Sequence, residues 1–140
     1  MPDEVIVDAS VLGAAFFEEE RTRDARAFML SEHHFVAPDL ASIEIASICA
    51  KKVWRGLATS DVGTEALAKL PTLVRLVRLT EAQLSRAYEF AHRFRFSAYD
   101  ATYLSIAEAR RATLVTIDDR LVRRALQVDL GRHIRPLPVS

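Results

Sequence analysis

Residues 112–121 read ATLVTIDDRL, an apolar run that stops at two adjacent aspartates and an arginine. A short apolar, β-branched run predicts a buried strand, and an acid pair leading into RLVRRALQ predicts a helix start. The stretch thus reads as strand Leu114–Ile117, then a helix over 119–127, with Asp118 at the junction. Asp119 reads as a first-turn residue favoured by the helix dipole. Whether Asp118 merely caps that helix or belongs to a site depends on the rest of the chain.

The same unit repeats upstream. Glu4–Val7 (EVIV) is a short strand ending in Asp8, followed by an apolar helix over Ser10–Phe17 and a second helix over 21–31. His34–Ala37 reads as the second strand, closed by Pro38 and Asp39, which open a long helix to Arg55 with Gly56 as its stop. A helix over 60–70 ends at Pro71, and Leu73–Leu79 reads as the third strand. Thr80 caps a helix to Phe94 with Glu81 in its first turn, Ser97 opens the next to Arg111, and Ile134–Leu137 is a last strand. Strands alternating with helices predict an α/β domain of about four or five mainly parallel strands covered on both sides. No repeat, linker or low-complexity tract interrupts 1–140, which reads as a single domain.

Composition excludes several classes. Half of the 140 residues are hydrophobic and 27% are charged, which is globular usage. No run approaches the ~20 apolar residues of a membrane helix, and the opening Pro2, Asp3 and Glu4 do not resemble a signal peptide. A soluble, cytoplasmic protein is expected. Cys49 is the only cysteine, so a Cys-rich zinc site is excluded, and the histidines are too scattered to suggest a metal site. Net charge is zero, but residues 1–71 carry 7 Lys/Arg against 12 Asp/Glu and residues 72–140 carry 12 Arg against 7 acids. Arginine suits phosphate, although solvated helix faces are the favoured reading of most such residues.

Four acids stand in awkward places. Ligands of open α/β sheets bind beyond the carboxyl ends of strands, where Asp8 and Asp118 fall. Taken alone, Asp8 reads first as an N-cap for the helix that begins near Ser10. Asp100 shares a helix face with Tyr103, Leu104 and Ala107, the stripe that should point inward, and Glu44 lies in the apolar LASIEIASI with Lys51 and Lys52 nearly two turns away. If all four converge, each pair at ~4 Å repels by about 4 kcal/mol at an effective dielectric near 20. Protonation or a cation must resolve this. An all-oxygen ligand set suits Mg²⁺ or Mn²⁺, and such a site suits phosphoryl chemistry. No G-x-S-x-G elbow or glycine-rich phosphate loop offers a competing chemistry.

VIVDASVL at Val5–Leu12, PDLASIEIASI at Pro38–Ile48, YDATYLSIAEA at Tyr99–Ala109 and LVTIDDRL at Leu114–Leu121 occur in this order. Together they resemble the four acidic blocks of the PIN-domain nucleases, and within these the small VapC-type toxins of type II toxin–antitoxin pairs. The resemblance implies a PIN-like three-layer α/β/α sandwich. It also implies ligation of Mg²⁺ or Mn²⁺ by Asp8, Glu44, Asp100 and Asp118, with Ser10 and Thr116 orienting them from behind. Endoribonuclease activity on RNA, a homodimer, and inhibition by a VapB-like antitoxin that covers the site are implied likewise. A housekeeping RNA-processing nuclease and a non-cleaving RNA-binding module share these residues. A phosphatase with an aspartyl nucleophile fits less well, because position 10, where its second acid belongs, is Ser.

Overall fold

The computed structural model describes residues 3–140, so Pro2 of the opening lies outside the described residues. Five strands form one sheet: β1 (Glu4–Val7), β2 (His34–Pro38), β3 (Arg75–Val77), β4 (Thr113–Thr116) and β5 (Ile134–Pro136), ordered β3-β2-β1-β4-β5. All neighbours run parallel, with Val5 opposite both Phe35 and Thr113. Parallel strands need crossovers, and helices supply each one. α1 (Ala9–Phe16) and α2 (Thr22–Met29) follow β1, α3 (Leu40–Trp54) and α4 (Ser60–Leu73) follow β2, α5 (Glu81–Phe94) and α6 (Ala98–Arg110) follow β3, and α7 (Asp119–Gln127) follows β4.

Strand alternation sorts the core into two halves. Val5, Val7, Phe35, Ala37 and Val115 face a layer that includes Leu12, Ile45 and Leu70 from α1, α3 and α4. Ile6, Val36, Leu114 and Ile134 face the opposite way, against Phe90, Leu104, Ile106 and Leu121 from α5, α6 and α7. The result is the expected three-layer α/β/α sandwich. The chain winds outward from β1 to β3, then crosses back to place β4 on the other side of β1. The switch point of the sheet is the crevice between the ends of β1 and β4.

The boundaries differ from expectation where a specific bond intervenes. α4 does not stop at Pro71 but runs through it to Leu73. Pro71 forfeits one backbone bond, to the carbonyl four residues before it, but Val74 N–H still closes the last turn onto the Leu70 carbonyl (3.2 Å). The third strand is accordingly shorter than Leu73–Leu79, keeping only Arg75–Val77. Ile117 lies outside β4 because its N–H turns to the Ser10 hydroxyl instead of a neighbouring strand. Gly56 stops α3 as expected, at φ +70, a conformation that disfavours other residues.

Ile6 is fully buried at the centre of the sheet, whereas Ile43 on α3 is 70% exposed. Ile6→Ala should lower unfolding free energy in urea by about 2–5 kcal/mol. Ile43→Ala should change it by less than about 0.5 kcal/mol, and comparable losses in both would contradict the layering.

Candidate functional site

Asp8 follows β1 directly and is the N-cap of α1, its Oδ1 accepting from the backbone N–H groups of Ser10 (3.1 Å) and Val11 (3.2 Å). The bland capping role is therefore real, but it leaves the rest of its environment unexplained. The residue is only 8% exposed, and two hydroxyls donate to it: Ser10 Oγ to Oδ1, and Thr116 Oγ1 to Oδ2 at 2.6 Å. Both hydroxyls are oriented by the chain leaving β4. Ile117 N–H donates to Ser10 Oγ (3.1 Å) and Asp118 N–H to Thr116 Oγ1 (3.0 Å), which leaves each hydroxyl proton to point at Asp8. Burial pushes the Asp8 carboxyl above its ordinary range, these bonds oppose the shift, and the Asp100 charge adds to it.

The other acids come from three different helices or their caps. Glu44 projects from the first half of α3, half-buried, and its Oε1 accepts from the Tyr103 hydroxyl at 2.7 Å. Burial raises its pKa, the Tyr103 bond lowers it, and the charges of Asp8 and Asp100 raise it again. Asp100 sits in the first turn of α6, fixed there because the Ser97 hydroxyl accepts from Asp100 N–H (3.0 Å). Its pKa is raised by burial and by Asp118, and only Arg124 among cations opposes this. Asp118 is exposed and caps α7, its Oδ1 accepting from the N–H groups of Arg120 (3.0 Å) and Leu121 (3.1 Å).

These shifts define one electrostatic neighbourhood: Asp100 acts on Asp8, both act on Glu44, and Asp118 acts on Asp100. The acids are not drawn into a closed cage. Among the described residues, no three His, Cys, Asp or Glu side chains already stand as a ready-made set of metal ligands. The donor chemistry nonetheless fits a hard divalent cation, because every member is an oxygen and three of the four are held partly out of water without a paired lysine or arginine. Asp119, one residue on, raises none of the cluster and lies exposed in the first turn of α7.

Two members of the site escaped sequence reasoning. Tyr103 reads as one more inward residue on the α6 stripe, and nothing in its spacing says that its hydroxyl meets a residue fifty-nine positions away. Arg124 reads as one basic residue among many. Its Nη2 donates to the carbonyls of Phe94 (2.9 Å) and Arg95 (2.6 Å), and its guanidinium lies over the Phe96 ring at 4.8 Å. Arg124 thus ties α7, which Asp118 caps, to the turn that delivers Asp100. Lys52, nearly two turns from Glu44, pairs with Glu19 at 2.7 Å.

Two outcomes follow from this geometry. Thr116→Val strips a donor from Asp8 and an acceptor from Asp118 N–H, so it should cost about 1–3 kcal/mol in urea unfolding at pH 7, while Thr116→Ser keeps both bonds. Asp100 has a folded pKa above its ordinary value of 3.8, so its contribution is fully present below that value and is lost as pH rises through the folded pKa. With a chelator present, Asp100→Asn should therefore raise Tm at pH 7.5 and leave it nearly unchanged at pH 3. A variant that melts lower than wild type at pH 7.5 would contradict the crowding of charge.

A PIN domain family model matches residues 5–126, a span that contains all four acids. The chain is 28% identical over 122 residues to ribonuclease VapC3 of Pyrobaculum aerophilum, covering 86% of this chain and 93% of that protein. It is 31% identical over 117 residues to ribonuclease VapC9 of Mycobacterium tuberculosis, covering 84% and 87%. Among solved structures, PAE2754 from P. aerophilum superposes with a TM-score of 0.70 at 23% identity, covering 94% of this chain and 98% of that one. M. tuberculosis VapC20, described as a sarcin–ricin loop cleaving toxin, gives 0.68 at 17% identity over 85% and 93%. At those identities the two structures speak for the fold alone. The family match, by contrast, runs from β1 into α7, and the chain belongs to the PIN domain family, with VapC ribonucleases among its relatives.

Proposed function

We propose that this protein is a divalent-metal-dependent endoribonuclease of the VapC type, the toxin of a type II toxin–antitoxin pair. The observation that supports it best is the set of mutually repelling, desolvated carboxylates at the sheet's switch point, with a single opposing arginine already engaged by backbone carbonyls. Asp8, Glu44, Asp100 and Asp118 would hold Mg²⁺ or Mn²⁺, directly or through water. Bound there, the ion would supply an acidified water and neutralise charge developing on a phosphodiester.

The chain's own contribution is positioning. Ser10 and Thr116 fix both oxygens of Asp8, and Tyr103 aims Glu44 while no described residue donates to its Oε2. Asp118 caps through Oδ1, which leaves Oδ2 without a described donor. The ribonuclease names of the VapC relatives support the reaction class, and the same names bring a VapB-like antitoxin as the protein partner and RNA as the substrate. A homodimer acting in the cytoplasm, each copy a single nuclease domain over 1–140, completes the reading. Among the described residues no helix is long and apolar enough to cross a membrane.

Incubation with structured RNA and Mg²⁺ or Mn²⁺ tests this directly. Wild type should cleave and EDTA should stop it. Asp100→Asn and Asp118→Asn should each lower the rate by roughly a hundredfold or more, since each removes a ligand charge. Asp119→Asn should stay within about twofold of wild type, as expected of an exposed residue outside the site. Undiminished cleavage by Asp100→Asn, or equal loss at positions 118 and 119, would sink the four-acid assignment.

A further inference from the structure

Tyr99 takes no part in the site described above, although it immediately precedes Asp100. One residue along a helix turns about 100°, so while Asp100 faces the acids, Tyr99 stands 58% exposed beside them. A solitary exposed aromatic is ordinary. Tyr99, however, forms a wall shared by two cavities. One, of about 370 Å³, runs along α3 past Glu44 and Ser47 to Lys51. The other, of about 530 Å³, opens beyond the ends of β2 and β3 between Asp39, Arg78, Thr80 and Leu84.

We propose that these cavities form one track for single-stranded RNA, with Tyr99 as the platform on which a base beside the scissile phosphate stacks. The inference rests on the ribonuclease reading and adds to it the residues that hold the strand. Aromatic stacking is the sequence-tolerant way to grip an unpaired base, and it needs an exposed ring flanked by cations that follow the backbone. Lys51 lies at one end and Arg78 at the other. Lys52, Arg86 and Arg110 are paired with Glu19, Glu108 and Glu4, but Lys51 and Arg78 have no acid partner among the described residues.

The lining also says what part of the strand enters the larger cavity. Asp39 and Glu81 line it together with Arg78; the two carboxylates repel phosphate and accept from the exocyclic amino group of a base, which leaves Arg78 for a phosphate at the rim. The Asp39 carboxylate is free for this, since it makes no capping bond to α3. Leu79 and Leu84 supply apolar sides for the ring. The wall at Thr80 is rigid: its hydroxyl accepts from Gln83 N–H (3.1 Å) while the Gln83 side chain accepts from Thr80 N–H (2.9 Å). A base therefore fits the cavity, with its phosphates outside at the two cations.

The test compares binding of two fluorescent dodecamers by anisotropy, one of cytidine and one abasic with the same backbone charge, with strand integrity checked on gels. Wild type should bind the cytidine strand about tenfold or more tightly than the abasic one. Tyr99→Ala should abolish that preference and Tyr99→Phe should keep it. Lys51→Ala and Arg78→Ala should weaken both strands alike and each lower the salt slope by about 0.7. Equal binding of the two strands by wild type, or an intact preference in Tyr99→Ala, overturns the proposal; either result is also the one expected if the cavities serve a protein segment instead. Binding needs no cleavage, so a wild type that cuts no RNA would remove the nuclease reading while leaving this comparison decisive. Where cleavage is measured, Tyr99→Ala should raise KM with kcat nearly unchanged.

Discussion

The carboxyl end of the sheet depends on keeping one carboxylate, Asp8, fixed where water scarcely reaches. An ionised carboxylate leaves water at a cost of several kcal/mol unless donors replace its hydration. Four donors do so here: two backbone N–H groups of α1 and the hydroxyls of Ser10 and Thr116. Because each hydroxyl also accepts from the chain leaving β4, the bonds join the ends of β1 and β4 across the switch point. The same contacts make the bend that takes Ile117 out of the sheet and turns Asp118 toward the cluster. Fold and site are therefore one construction at this point. The raised Asp8 pKa shows that the donors do not fully offset burial and the nearby Asp100 charge.

Helix termini carry part of the remaining load. Asp8 caps α1, Asp118 caps α7, and Asp100 lies in the first turn of α6, so three of the acids stand at the positive ends of helix dipoles. Such contacts are worth about 0.3–1 kcal/mol each, less than the repulsion between close carboxylates. The site thus retains electrostatic tension. Backbone strain accompanies it: Arg95 joins α5 to α6 at φ 60, a left-handed conformation uncommon outside glycine and asparagine. Arg124 holds the carbonyls on either side of that turn, and Phe96 packs under its guanidinium. Removing a cation partner from this arrangement disturbs α5, α6 and α7 together.

What could be read from the sequence follows from how local each cause is. EVIV and LVTI announce strands through β-branching, the second displaced by one residue from the strand that forms, and Thr80 and Ser97 announce helices through their hydroxyls, all within a few residues. The inward stripe on α6 and the apolar surroundings of Glu44 likewise flagged two acids from local pattern alone. Pro71 misled because losing one backbone bond does not end a helix whose last turn is still closed by Val74 N–H and whose Leu70 is buried in the core. Tyr103 to Glu44 and Arg124 to the Phe94 carbonyl were illegible, since they join residues fifty-nine and thirty positions apart, and only the family resemblance set Thr116 beside the acids. Spacing can place a residue on a face, but only the packed sheet decides which faces meet.

The uneven charge along the chain shows the same limit and how folding resolves it. The arginine-rich second half suggested a nucleic-acid surface, yet several of these cations are committed to the fold. Arg110 grips Glu4 through two hydrogen bonds and so fastens the end of α6 to the start of β1. Arg86 holds Glu108 across α5 and α6 while lying over Phe90, and Arg93 holds Glu89 along α5. Total arginine content therefore overstates the surface available to phosphate. What remains informative is position. Arg78 opens from the end of β3 and Lys51 from α3, on the two flanks of Tyr99, so the cations beside that ring come one from each half of the chain. Cations brought together by folding in this way leave no run of basic residues in the sequence.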